Sequence, residues 1–93
     1  MKCEIELTKQ AKRDLEKVPH QIKLKLQVWI DMVERIGLLE IRKIPSFHDE
    51  PLKGNRKGQR SIRLNKAYRA IYEITATGEI HLIKIVEVNK HDY

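Results

Sequence analysis

The chain has 93 residues, a single cysteine, 34% charged residues and a formal charge of +6. One cysteine excludes an internal disulfide and a cysteine-based zinc site, and fits a reducing, cytoplasmic setting; no run approaches the ~18 apolar residues of a membrane span or the core of a signal peptide. Such a length makes one domain, residues 1–93, with a modest core, and a basic balance in so short a chain favours nucleic acid as partner ahead of an anionic membrane surface.

In chain order, Cys3 to Leu7 (CEIEL) alternates polar and apolar residues and predicts a short first strand. Thr8 follows as an N-cap, and Leu7, Ala11, Leu15 and Val18 then make the stripe of a short amphipathic helix. Pro19 ends that helix and can open the next, because a first turn does not need its missing N–H. Ile22, Leu26, Trp29, Val33 and Ile36 recur at helical spacing, with Ile30 beside them, and Gly37 stands where a C-terminal cap belongs. Leu39–Ile44 reads as a short helix or an extended piece, and Pro45 and Pro51 frame a loop, SFHDE. Three strands follow in close succession: SIRL, YRAIYEIT and, after the turn TATGE, IHLIKIVEV. Their short connections predict a meander. The expected fold is α+β: one N-terminal strand, two helices, then antiparallel strands, with the helices on one face of a single sheet and the other face open.

The charge is local. Between Pro51 and Ala70 there are seven basic residues and no acidic one: Lys53, Arg56, Lys57, Arg60, Arg63, Lys66 and Arg69. The rest of the chain is close to neutral, so the basicity forms a patch with a negative partner. Strand alternation sends Ile62 and Leu64 under the helices and Arg63 to the open face. In the next strand Ala70, Tyr72 and Ile74 go under the helices, leaving Arg69 beside Arg63. The loop carrying Lys53, Arg56, Lys57 and Arg60 is expected to border the same surface, a cradle for a phosphodiester backbone. His20 and His81 read as structural or solvated, and no spacing marks a metal site.

PLKG, then G-x-x-SIRLN, YRAIYEI and a final VNKHDY together resemble the RelE/ParE superfamily of bacterial toxins, nearest its HigB-like branch, over nearly the whole chain. The resemblance implies a RelE-like fold and a cytoplasmic, ribosome-dependent messenger RNA endonuclease, the toxin of a type II toxin–antitoxin system, held inactive by a cognate antitoxin. It places Glu50 as general base, with His48 as backup. Lys53 and Arg69 fall at phosphate-contacting positions, Arg63 at a basic strand position, and His91 or Tyr93 near the leaving group. Arg56, Lys57, Arg60, Arg63 and Lys66 are the expected RNA-binding set. No cofactor is implied, and the oligomeric state is left open.

Such chemistry needs a base for the RNA 2′-hydroxyl, cations for the phosphoryl oxygens and an acid for the 5′-oxygen, without a metal. Two other functions stay open: a ParE-like, non-enzymatic inhibitor of DNA gyrase, and a nucleic-acid-binding module without catalysis. ParE-type toxins usually lack this acid/base set, which favours the nuclease.

Overall fold

The computed structural model describes residues 2–90. Its elements run β1 (Lys2–Leu7), α1 (Lys9–Lys17), α2 (His20–Ile36), α3 (Leu38–Ile41), β2 (Glu50–Pro51), β3 (Gln59–Arg63), β4 (Tyr68–Ala76) and β5 (Ile80–Lys90). The strands make one sheet in the order β1-β5-β4-β3-β2. β3, β4 and β5 form the expected antiparallel meander. β1 pairs parallel with β5, a pairing that no tight turn can join and that the helices and the other strands separate in the chain. The long β5 is therefore an inner strand.

The helices cover one face. Ile22, Leu26, Trp29 and Val33 line the buried side of α2, and they join Ile62, Leu64, Ala70, Tyr72, Ile83, Ile85 and Val88 of the β3–β5 region in one core. Trp29 packs on Tyr72 with ring centroids 5.1 Å apart at 47°, a tilted pairing of the kind aromatic quadrupoles favour. Pro19 caps α2, its carbonyl accepting from Ile22 N–H at 2.9 Å. Gly37, at φ 109°, ends the helix with its own N–H on Val33 O, a backbone angle that a side chain would strain.

Three details differ from the sequence reading. Ile36 is 56% exposed rather than part of the buried stripe; the chain turns at Gly37, and Leu38, in the one-turn α3, takes the core position instead. The segment between Pro45 and Pro51 is more ordered than a loop, with a 3₁₀ turn at Pro45–Phe47 and the two-residue edge strand β2. β5 also carries a bulge. Tyr72 faces Ile85 and Ile71 faces Glu87, leaving Val86 as the extra residue.

Residues of α1 and its cap satisfy that bulge. Beyond Leu7, β1 no longer borders β5. Thr8 donates its N–H to Ile85 O (3.0 Å) and its hydroxyl to Val86 O (2.6 Å), and its Oγ1 accepts from Ala11 N–H (3.0 Å). Asp14 then accepts the Val88 N–H at 3.0 Å. One threonine thus caps a helix and tethers the strand that leads toward the C-terminus. Among the described residues no helix is long and apolar enough to cross a membrane.

Candidate active site

On the face away from the helices, side chains of hydrogen-bonded strands form rows, because cross-strand partners share a face. The first row is Arg63, Arg69 and Asn89. The second is Glu50, Ser61, Ile71 and Glu87. The third is Gln59, Glu73, Lys84 and Glu6. Alternation therefore does bring Arg63 and Arg69 together. They are directly opposed across β3 and β4, and Arg69 Nε donates to Asn89 Oδ1 at 3.2 Å.

Glu50 enters this face from the edge. Its carboxylate Oε2 lies 3.4 Å from His48 Nε2, and both side chains are 56% exposed. The two candidate bases are thus neighbours in contact. Glu50 is one strand and one side-chain step from Arg63, and two strands and one step from Arg69. These separations correspond to roughly 8 and 12 Å between Cα atoms, enough for a phosphodiester to sit between carboxylate and guanidinium.

The face is not uniformly cationic, as alternation alone predicted. Arg56 is folded onto it, donating to Gln59 Oε1 at 2.9 Å and pairing with Glu87. Since Gln59 is on β3 and Glu87 on β5, this bridge crosses β4. Ile71, which lies on that stretch of β4, is accordingly 0% exposed although it stands outside the core beneath the helices. The third row holds mixed charge, with Gln59 donating to Glu73 at 3.2 Å and Lys84 3.7 Å from Glu6. The first row holds two arginines and, among the described residues, no carboxylate. Lys53 and Lys57 are exposed in the turn before β3, and Lys66 in the turn after it.

Arg60 does not join them. Its strand partners are Pro51 and Tyr72, on the helix side, and its Nε donates to Asp49 Oδ1 at 2.6 Å, with the Asp49 side chain 1% exposed. Burial pulls the Arg60 pKa down, but the hydrogen bond and charge of Asp49 outweigh it and hold the guanidinium above its ordinary value. This half-buried guanidinium, already paired with a carboxylate, lies on the helix side of the sheet, away from the face that carries Arg63 and Arg69. The remaining candidates, His91 and Tyr93, lie outside the described residues. The last described residue, Lys90, faces Tyr68, next to Arg69.

Sequence reasoning missed Glu87, Asn89, Gln59 and Asp49. Glu87 and Asn89 carried a signal, since period-two spacing in VEVNK puts both on one face. Asp49 carried none: an acidic residue in a His-Asp-Glu run reads as solvated.

The α+β sheet with its helices on a single face is the fold of a type II toxin of the RelE/ParE superfamily, the class that the family match over nearly the whole chain gives. Residues 5–92 match the family model described as the ParE toxin of the type II toxin–antitoxin system parDE, and the chain belongs to that family. Among solved structures, YafQ from E. coli is 18% identical with a TM-score of 0.75, over 97% of this chain and 94% of that one. The YoeB dimer from Staphylococcus aureus is 26% identical over the whole of both chains, with a TM-score of 0.68. A chain of the toxin–antitoxin complex RelBE2 from Mycobacterium tuberculosis is 24% identical over 94% of this chain and 95% of that one, with a TM-score of 0.65. No curated protein matches the chain.

Proposed function

We propose that the chain is a HigB-like, ribosome-dependent endoribonuclease that cuts messenger RNA and so stops translation in the cytoplasm until a cognate antitoxin neutralises it. The observation carrying this reading is that a carboxylate–imidazole pair in contact, His48–Glu50, borders the same sheet face as the opposed Arg63 and Arg69. A charge cradle for nucleic acid needs the arginines but has no use for the pair; cleavage needs both.

Glu50, with His48 against it, takes the proton of the 2′-hydroxyl as that oxygen attacks the adjacent phosphorus. Arg69, with Arg63 and Lys53, carries the negative charge that grows on the phosphoryl oxygens. The bond to the 5′-oxygen breaks, and that oxygen takes its proton from His91 or Tyr93. The products are a 2′,3′-cyclic phosphate and a free 5′-hydroxyl. Lys57 and Lys66 hold neighbouring phosphates, and Arg56 does so when it exchanges Glu87 for RNA. No step requires a metal or a cofactor.

The test is to incubate translating ribosomes with the protein and map new messenger RNA ends. Wild type should produce them, and Arg69→Ala should slow their appearance by about 10²–10³-fold, the range seen when one donor to a developing oxyanion is removed. Uncut RNA with wild-type protein ends the proposal. The ParE family match favours a second reading, inhibition of DNA gyrase without catalysis. Loss of supercoiling activity with intact RNA would establish that one.

A further inference from the structure

The segment Phe47–Glu50 alternates in and out. Phe47 is buried at 2% exposure, His48 is exposed, Asp49 is buried and Glu50 is exposed. Both Asp49 oxygens are used. Oδ1 accepts from Arg60 Nε and Oδ2 from the Tyr72 hydroxyl, each at 2.6 Å. Arg60 and Tyr72 are direct cross-strand partners, so one carboxylate is gripped by two adjacent strands. Tyr72 is itself fixed, fully buried and packed on Trp29.

Phe47 anchors one end of the segment in the core, under Lys25, and the short pairing of β2 with β3 holds the other. β2 has two residues, of which Pro51 has no N–H to donate. Further backbone bonds run from His48 N–H to Pro45 O (3.0 Å) and from Leu52 N–H to Gln59 O (2.9 Å). Between them His48 adopts a left-handed conformation, φ 45° and ψ 51°, which a non-glycine residue keeps when its surroundings impose it.

We infer that Asp49, Arg60 and Tyr72 form a clamp, built around the buried Asp49 carboxylate, that positions His48 and Glu50 against each other at the edge of the cationic row. All three are positioning residues: none reaches the open face, and each acts through the backbone between two groups that do. Burial first, and the bond to Asp49 second, also push the Tyr72 phenol well above its ordinary pKa against a smaller opposing pull from Arg42, so the phenol stays a donor to Asp49 at neutral pH. The catalytic half of this inference rests on the proposed nuclease activity; the positioning half does not.

The test uses the full chain carrying Tyr72→Phe, which keeps the ring packing and removes one bond of the clamp, and Asp49→Asn, which removes its charge. Amide hydrogen exchange at His48 and Leu52 should quicken by about tenfold or more in both, while that at Ile83 and Ile85 holds its wild-type rate. On ribosomes, kcat should fall by about tenfold or more with KM unchanged, the split expected when bases are misplaced and binding is intact. Arg60→Gln should leave the salt dependence of RNA binding as in wild type, whereas Arg63→Gln should flatten it. Wild-type exchange at His48 and Leu52 in both clamp variants overturns the inference, as does a flattened salt slope in Arg60→Gln. If wild type cuts no RNA, the exchange measurement alone decides, so failure of the clamp and failure of the nuclease reading remain distinguishable.

Discussion

Glu50→Gln is expected to slow messenger RNA cleavage by about 10²–10⁴-fold, the range for loss of a single general base. His48→Asn should cost a smaller factor, and the double variant little more than Glu50→Gln alone. The reason is their contact: Oε2 and Nε2 are 3.4 Å apart, and groups that act on one proton as a unit are not additive. Asparagine suits position 48 because it tolerates the left-handed backbone found there, so the measurement reads chemistry rather than folding. Single-turnover rates on programmed ribosomes separate the outcomes. Losses that multiply would show that the two groups work independently, and an unchanged rate in Glu50→Gln would remove the base from the mechanism.

The largest effect on stability is expected at Trp29. It is 0% exposed, as is the Tyr72 ring it packs on, and truncating a buried tryptophan to alanine costs about 3–5 kcal/mol. A chain of this length has roughly 5–14 kcal/mol in total, so Trp29→Ala loses a large share of it. Its Tm should fall by roughly 12 °C or more, at ~4–8 °C per kcal/mol for a domain of this size. Trp29→Phe should cost clearly less, because a ring remains against Tyr72 and the indole N–H has no hydrogen-bond partner to lose among the described residues. Equal melting temperatures for the two variants would mean that the cavity does not govern the loss.

The sheet was legible wherever one face is buried, because a period of two then leaves one choice. Ile62 and Leu64 went inward, as did Ala70 and Tyr72, and this set Arg63 and Arg69 side by side. Arg60 was legible by the same rule. It is two residues before Ile62, on the inward phase, because β3 begins at Gln59, two residues ahead of the SIRL run. Other features depend on contacts far apart in sequence. Arg56 meets Glu87 31 residues on, and Tyr72 meets Asp49 23 residues back. Short-range spacing carries no information on such pairs. They decide that the open face is cationic at one end and cross-braced in the middle.

The left-handed backbone at His48 sets durability against activity. Glycine in that position would adopt φ 45° without steric penalty, and where that relief exceeds the entropy that glycine adds to the unfolded chain the variant is the hardier protein. It would lack the imidazole beside Glu50. On the proposed chemistry, a screen for heat resistance in the absence of any demand for toxicity would favour that change and yield a robust but harmless variant.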